Sequence, residues 1–312
     1  MSNILEYKEL LAFHPGYYLA EIIDELGISH AEFAQRLGTT PKTVSLLVNG
    51  QANLSNALAG KLALMLGTSV DLWLGLQQEF DRRRIEIETA RALDRQADLA
   101  VGLDYAFFVR VAGLPETDDV RERIRALCRY LAVSDLSVLA EPDFLVDFRA
   151  EVAEFSGRNR VASRAWLQTA INLSRGRTAT SFNAARLQER LPEIRRLTDG
   201  APADCLPELT ALLAGCGVVF VLLPPLAEAG VSGAVRWVSP NRAVLALSDA
   251  FPDAATFRLA LFHELGHVLQ QKVRTTFVSG LGMANGVDAE AEAERFALTL
   301  PSRNNTNSRC PS

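Results

Sequence analysis

The stretch SHAEFAQRLGTTPKTVSLLVNG, residues 29–50, predicts two short helices separated by a tight turn. Ser29 and Glu32 have the spacing of a capping box, in which each side chain accepts a backbone N–H at the start of a helix. Gly38 suits the left-handed conformation that ends a helix. Thr40 then caps a second helix, whose first residue is a proline, a residue tolerated there because its missing N–H is not needed.

Two short helices joined by such a turn follow the helix-turn-helix plan, whose second helix enters the major groove of DNA. Lys42 suits guanine O6 and N7, and the Thr43 methyl group or Leu46 suits a thymine methyl. The predicted contacts are Lys42, Thr43, Ser45 and Leu46 in the groove and His30, Thr40 and Asn49 on phosphates. A helical bundle with good caps and no nucleic-acid ligand is the alternative.

Composition and charge limit the class of protein. A chain of 312 residues suffices for two or three domains. Hydrophobic residues make up 48% and charged residues 22%, the balance of a folded globular protein. Residues 1–81 hold four basic and nine acidic side chains, which accounts for the whole net charge of −5. This acidity favours the bundle alternative, because phosphate neutralisation supplies most non-specific affinity for DNA.

The sequence contains no run of about 20 apolar residues that could span a membrane. Its first residues carry acids where a secretory signal would be basic. The four cysteines, Cys128, Cys205, Cys216 and Cys310, are far apart and form neither a zinc-ribbon nor a disulfide pattern. We therefore expect a cytoplasmic protein with no membrane segment.

The chain is predicted to be mainly α-helical with an α+β C-terminal part. We assign residues 1–81 to a helix-turn-helix bundle of five helices, 82–145 to a helical linker region, 146–301 to a C-terminal domain and 302–312 to a polar tail. Apolar, β-rich runs separated by turn residues predict a small antiparallel sheet. These runs are 218–223, 234–238 and 243–247, and helices are predicted at 254–272 and 288–300. The run Arg82-Arg83-Arg84 is interpreted as a solvated helix face, with contact to a DNA backbone as the alternative.

Residues 14–80 resemble the HigA-type antitoxins of the Cro/C1 helix-turn-helix superfamily. The resemblance is carried by HPGYYLAE at 14–21, GISHAEFAQRLG at 27–38, TPKTVSLLVNG at 40–50 and LGTSVDLWLGLQ at 66–77. It implies a repressor that binds double-stranded operator DNA at its own promoter as a homodimer, with a cognate toxin as a further partner. His30 departs from the family pattern, which usually has Gln at this position.

His263-Glu264-Leu265-Gly266-His267 is an HExxH pattern. Histidines at i and i+4 share one helix face, so both imidazoles can reach one ion, and neutral imidazole suits Zn²⁺. Glu264 is offset by about 100° on the helix and can contact a water on that ion without ligating it. A chance pentapeptide is the alternative. Burial of two histidines and a glutamate in an apolar helix would be costly unless a metal compensates them. Chance is less favoured because two of the four histidines lie in this pattern and an acidic helix follows it.

A third ligand is predicted from the acidic helix that follows. Glu292 shares a face with Phe296 and is therefore predicted to point inward, where an unpaired carboxylate would be costly. Glu290 and Glu294 are predicted to face solvent or to support the site. Glu290 is also a candidate partner for a ligating histidine.

Residues 145–301 resemble the ImmA/IrrE metallopeptidase family. The resemblance is carried by FHELGH at 262–267 and EAEAERFALTLP at 290–301, with Trp166-Leu167, LPEIRRLT at 191–198, GVVFV at 217–221 and SGAVRW at 232–237 upstream. It implies a zincin-like domain in which His263, His267 and Glu292 hold Zn²⁺ and Glu264 is the general base. It also implies proteolysis of a transcription factor or an antitoxin. Glu294 stands where Asn or Asp is usual.

Two functions of different classes follow. The first is a DNA-binding regulator joined to a zinc endopeptidase that cleaves a regulatory protein. The second is a repressor or antitoxin whose zinc-binding domain is structural or sensory. The chain has no Tyr after Tyr130, so that Arg236, Arg258 or the zinc itself with backbone donors is left to stabilise an oxyanion.

Overall fold

The computed structural model describes residues 3–141, 148–149, 157–200, 202–270, 276–279 and 288–299. The chain forms two compact units, Met1–Arg95 and Gln96–Ser312. The predicted polar tail, residues 302–312, lies outside the described residues.

The first unit consists of a two-stranded hairpin followed by five helices. Its elements are β1 (Ile4–Tyr7), β2 (Leu10–Phe13), α1 (Pro15–Leu26), α2 (His30–Leu37), α3 (Pro41–Val48), α4 (Asn56–Leu66) and α5 (Val70–Arg95). The five helices agree with the sequence prediction, whereas the hairpin was not predicted.

The hairpin packs on the long helix α5. The strands β1 and β2 pair in antiparallel fashion, and Lys8 adopts a φ of 53° in the turn between them. The Tyr7 hydroxyl donates to Asp94 at 2.5 Å, and the Arg91 guanidinium lies 5.1 Å from the centre of the Tyr7 ring. On the other strand, Ala12 is buried with Phe80 of α5. The hairpin thus covers an apolar face that α5 would otherwise expose.

The sequence-based boundary at residue 81 falls inside α5, which continues to Arg95. Salt bridges at i,i+3 and i,i+4 spacing explain the continuity, because such pairs support an exposed helix. Arg82 bonds both Glu79 and Glu86 at 2.6 Å, and Arg83 bonds Glu79 at 3.0 Å. This arrangement fits the interpretation of the arginine run as a solvated helix face. The boundary placed after residue 81 is corrected accordingly.

The core of the first unit joins the helices around Phe33, which is fully buried. Ala34 and Leu37 of α2 are buried with it, whereas Ala31 in the first turn of that helix is exposed. At the start of α1 the buried His14 accepts the Gly16 N–H through Nδ1 at 2.9 Å, and burial lowers the pKa of His14. A Cβ added at Gly16 would lie 1.9 Å from the Leu47 carbonyl oxygen, so the backbones of α1 and α3 are in direct contact.

The second unit contains more helices and a five-stranded sheet. Its elements are α6 (Ala97–Gly102), α7 (Tyr105–Ala112), α8 (Val120–Leu131), β3 (Phe148–Arg149), α9 (Gly157–Ser174), α10 (Ala184–Leu197), α11 (Pro202–Gly215), β4 (Val218–Leu223), β5 (Gly233–Ser239), β6 (Arg242–Ser248), α12 (Ala254–Leu269), β7 (Thr276–Ser279) and α13 (Asp288–Thr299). Among the helices of the described part, none is both long enough and apolar enough to span a membrane.

The sheet is mixed, with strand order β3-β7-β5-β6-β4. The strands β5 and β6 form an antiparallel pair, but β4 lies parallel to β6. The prediction of an antiparallel sheet was therefore wrong. The short connection between β5 and β6 makes a hairpin, and the longer one after β4 lets β6 lie between β4 and β5. The spacing of β-rich runs does not reveal that order.

Helices cover both faces of this sheet. Val218 and Phe220 of β4 belong to the core that also contains residues of α10, α11 and α12. Val219 and Val221 alternate with them, are also buried, and lie on the other face, where α9 packs. The strands are buried on both sides, which explains why they are continuous apolar runs.

We predict that Gly16→Ala destabilises the first unit by about 1–3 kcal/mol, since the new methyl group cannot fit against the Leu47 carbonyl without a backbone shift. Urea unfolding of the full chain followed by circular dichroism measures the effect. The matched control is Gly75→Ala in α5, where no atom lies within 4 Å of an added Cβ. The control variant is expected to be as stable as the wild type or slightly more stable. Equal stability of the two variants would contradict the close contact.

Candidate functional site

The turn between α2 and α3 is fixed by side-chain caps. Ser29 Oγ accepts the Glu32 N–H at 3.1 Å, and Thr40 Oγ1 accepts the Thr43 N–H at 3.2 Å. Gly38 ends α2 with a φ of 64°, a left-handed conformation that glycine adopts without strain. The two helices therefore begin and end as the sequence predicted, and their buried faces share one core.

The exposed face of α3 carries the side chains predicted to meet DNA. Val44, Leu47 and Val48 are buried, and this fixes which face of α3 is outward. Lys42 is exposed, and Thr43, Ser45 and Leu46 are half-buried. Each of the four is thus accessible at least in part.

The residues predicted to contact phosphate lie near the helix ends and are all exposed. His30 is the first residue of α2 and Thr40 is the cap of α3. Asn49 follows α3 and donates from Nδ2 to the Ser45 carbonyl at 2.7 Å. The side chains of Thr40 and Asn49 are therefore held in place by the helix they flank.

Lys61 lies at the same turn and was missed in the sequence prediction. Its ammonium donates to the Gly38 carbonyl at 2.6 Å, which brings a positive charge from α4 to the junction of α2 and α3. The two residues are 23 positions apart, and no local pattern connects them. Arg36 is also exposed on α2, but it is paired with Glu32. The basic groups near the turn are therefore few.

In the second unit, the HExxH pattern lies within α12 as predicted. The Nε2 atoms of His263 and His267 are 3.1 Å apart, and their rings meet edge to face at 4.7 Å between centres. His267 is fully buried, and its Nδ1 lies 3.4 Å from Gln270 Oε1. An Nδ1–H that donates to Gln270 would leave the Nε2 lone pair of His267 directed at His263 and available to a ligand.

The Glu264 side chain, on α12, lies close to Gly233, the first residue of β5. Glu264 is only 1% exposed. A Cβ added at Gly233 would come within 2.5 Å of Glu264 Oε1. The absence of a side chain at Gly233 therefore makes room for the carboxylate beside the histidine pair.

Helix α13 packs closely on α12 at Gly266. A Cβ added at Gly266 would lie 3.0 Å from the Ala293 Cα, and Ala293 is fully buried. This contact orients α13 so that Ala293 faces α12. Glu292, predicted to point inward, is exposed, and so is Glu294. Glu292 and Glu294 lie about 100° to either side of the buried Ala293 on the helix.

A cavity of about 480 Å³ opens beside His263 and Glu264. Its other wall is formed by Glu294, Ala297 and Leu298 of α13, and Glu292 is not among its lining residues. Leu226, Val231, Phe251 and Leu259 contribute much of the remaining surface. Glu294, predicted to face solvent or to support the site, lines the same cavity as His263.

Within the described ranges, no group of three or more His, Cys, Asp or Glu side chains is arranged to hold a metal ion. The histidine pair alone fits the donor set that zinc prefers. Zn–N bonds of about 2.0–2.1 Å in tetrahedral geometry bring two nitrogens to roughly 3.3 Å from each other. The observed 3.1 Å is close to that separation.

A capped helix pair with a tight turn and an exposed second helix defines a helix-turn-helix DNA-binding unit. Residues 19–73 match the helix-turn-helix family. The chain is 38% identical over 72 residues to an uncharacterized HTH-type transcriptional regulator, YddM, of Escherichia coli, covering 23% of this chain and 77% of that protein. The chain belongs to this family of helix-turn-helix transcriptional regulators through its first unit.

Two solved structures of bacterial proteins are similar in sequence to part of this chain. An addiction module antidote protein of the HigA family from Coxiella burnetii is 27% identical, with a TM-score of 0.25, and the match covers 27% of this chain and 92% of that one. PA4674 of Pseudomonas aeruginosa, solved in complex with its operator DNA, is 28% identical, with a TM-score of 0.25 and coverage of 27% and 90%. These matches cover about a quarter of the chain.

We predict that Lys42→Ala weakens binding to the operator by about 1–3 kcal/mol, the effect of a lost contact to a base. Electrophoretic mobility shifts with promoter DNA of the gene measure the change. The matched control is Arg82→Ala, which removes a cation already paired with Glu79 and Glu86 and is expected to leave the affinity unchanged. Unchanged affinity of the Lys42 variant would mean that α3 does not read bases through this residue.

Proposed function

We propose that this DNA-binding regulator carries, in its second unit, a zinc-dependent endopeptidase that cleaves a regulatory protein. The observation that supports the enzymatic part is the convergence of two imidazoles, with Nε2 atoms 3.1 Å apart, beside the buried Glu264. Buried ionisable groups at one edge of a cavity are typical of catalytic sites.

Zinc would be held by His263 and His267 and by a carboxylate of α13. Residues two positions apart on a helix point about 200° apart, so Glu292 and Glu294 cannot both face the cavity. The lining of the cavity favours Glu294, whereas the sequence pattern favoured Glu292.

Zinc, when bound, would supply a Lewis acid and lower the pKa of a coordinated water to about 7. Glu264 would accept the proton of the attacking water and pass it to the leaving amine. Its burial against Gly233 fixes the position of the carboxylate. The apolar surface of Val231, Phe251 and Leu259 would receive an apolar side chain of the substrate.

The first unit would direct this activity to a promoter. As in repressors of paired half-sites, it would act as a homodimer on operator DNA. The antitoxin resemblance adds a cognate toxin as a partner, and the proteolytic substrate would be a transcription factor or an antitoxin. A repressor or antitoxin with a structural or sensory zinc site is the alternative, and the following experiments separate the two.

We predict that the purified wild-type protein contains about one zinc ion per chain by mass spectrometry of metals. His263→Ala and His267→Ala should lose it, because each removes one of the two converging nitrogens. Glu294→Gln should weaken zinc retention under mild chelation, and Glu292→Gln is the matched control that should not. The reverse order would assign the third ligand to Glu292. Full zinc content in the histidine variants would contradict the site.

We predict that Glu264→Gln retains zinc and reduces cleavage of the protein encoded beside this gene by about 10²-fold or more. Gel electrophoresis of the partner after incubation measures cleavage, and metal content is measured on the same sample. Glu208→Gln, the same change at an exposed residue of α11 outside the cavity, is the control. Equal cleavage by the wild type and the Glu264 variant would reject the assigned base. A zinc-loaded wild type that cleaves nothing favours the non-catalytic alternative.

A further inference from the structure

His14 is a buried histidine at the point where the hairpin joins helix α1. It is 1% exposed. Its backbone N–H donates to the Asn3 carbonyl at 2.8 Å and closes the hairpin, while its side chain caps α1. Ser, Thr, Asp and Asn are the residues preferred as helix caps, and their side chains do not change charge near neutral pH. A titratable imidazole in this place therefore calls for an explanation.

The hydrogen bond of the cap requires an uncharged ring. His14 Nδ1 accepts the Gly16 N–H at 2.9 Å, so Nδ1 presents a lone pair and the proton of the neutral ring lies on Nε2. A second proton would bind to Nδ1 and set two donors against each other. It would also place a positive charge at the N-terminus of α1, where the helix dipole disfavours cations. The cap therefore exists only while His14 is neutral.

The capped turn lies directly against the end of α3, the helix predicted to enter the major groove. A Cβ added at Gly16 would lie 1.9 Å from the Leu47 carbonyl oxygen and 3.0 Å from His14 Nδ1, so the three groups meet at one point. The same Leu47 carbonyl accepts the Gly50 N–H at 3.0 Å, in the turn that ends α3. The bond from His14 to Gly16 thus fixes the backbone on which α3 packs.

The segment that follows α3 is held by α5 and by the His14 ring. Gln77 Oε1 of α5 accepts the Leu54 N–H at 2.8 Å. The ring of Phe80, also on α5, meets the His14 ring edge to face at 4.8 Å between centres. The backbone of Ala52 is close enough to act on the His14 ring. The segment is therefore tied to α5 at Leu54 and lies beside His14 at Ala52.

We propose that His14 is a positioning residue for DNA binding, which holds α3 and the segment after it in place while its ring is neutral and releases them when the ring is protonated. Being buried, His14 cannot touch DNA, and it acts through Gly16 and Leu47. The regulator would then lose affinity for its operator as the pH falls. The proposal concerns the helix-turn-helix unit alone and is independent of zinc and of peptidase activity.

The surroundings of the ring give the direction of the pH dependence. Burial lowers the pKa of His14, the Ala52 backbone and the charge of Asp81 oppose this in part, and the charge of Arg84 lowers the pKa further. Asp81 and Arg84 both lie on α5 and pair with each other at 3.1 Å. A histidine in an unfolded chain has a pKa of about 6.5, so the native state binds this proton less readily. The stabilisation by His14 is complete above about pH 6.5 and is lost as the pH falls below it.

Mobility shifts of the full chain with promoter DNA of the gene at pH 7.5 test the positioning role. His14→Ala removes the cap and is expected to weaken binding by about fivefold or more, whereas His14→Asn supplies a cap oxygen and should restore most of the affinity. The matched control is Ser69→Ala, which removes the side chain that accepts the Leu72 N–H at the start of α5 in the same unit. The control should change the affinity by less than about twofold. Equal losses in the two alanine variants, or wild-type affinity of His14→Ala, would overturn the proposal.

The pH profile separates protonation from mere structural support. Affinity is measured from pH 7.5 to 5.5 for the wild type and for His14→Asn, whose cap does not titrate in this range. Both proteins keep the exposed His30, which gains charge over the same range, so the ratio of their affinities removes its contribution.

We expect the ratio of wild-type to His14→Asn affinity to fall by about threefold or more at pH 5.5, within the limit of about tenfold set by one pH unit below the ordinary histidine pKa. A ratio that stays constant, or that rises toward acidic pH, would overturn the proposal. This ratio alone decides if His14→Ala does not fold.

Discussion

Burial of ionisable side chains in an apolar helix is the constraint on which the second unit depends. The helix α12 is buried along most of its length, yet Glu264 and His267 are almost completely removed from solvent. Transfer of such groups out of water is unfavourable unless hydrogen bonds, ions or partners compensate it. The same helix also bears the close contacts to β5 and α13. A substitution in α12 therefore affects both the packing of the second unit and the candidate site.

The first unit binds DNA, a polyanion, although its residues 1–81 carry an excess of acidic side chains. The structure pairs much of the charge locally, as Arg82 and Arg83 do with Glu79. The cations left near the α2–α3 turn, Lys42 and Lys61, lie on the outward side. With so few cations, few phosphates can be neutralised, so the salt dependence of DNA binding should be shallow.

Much of the fold could be predicted from local sequence patterns. Features that depend on contacts between distant segments could not. The caps at Ser29 and Thr40 and the apolar run of β4 follow from residues within a few positions of each other. The hairpin β1–β2 was missed because its turn contains Lys8 at positive φ and has none of the usual turn residues. The direction of Glu292 depends on where α13 meets Gly266, a contact between distant segments. Lys61 reaches Gly38 for the same kind of non-local reason.

Gly233 has a consequence for how sequences of this type are interpreted. Its missing side chain is what lets the carboxylate of Glu264 on α12 keep its present position, since a methyl group there would overlap both Glu264 and Leu247. A homologue that keeps the HELGH sequence but has alanine at position 233 would still match the motif, although its Glu264 carboxylate would be displaced. The integrity of the site is thus encoded 31 residues upstream of Glu264 as well as in the pentapeptide.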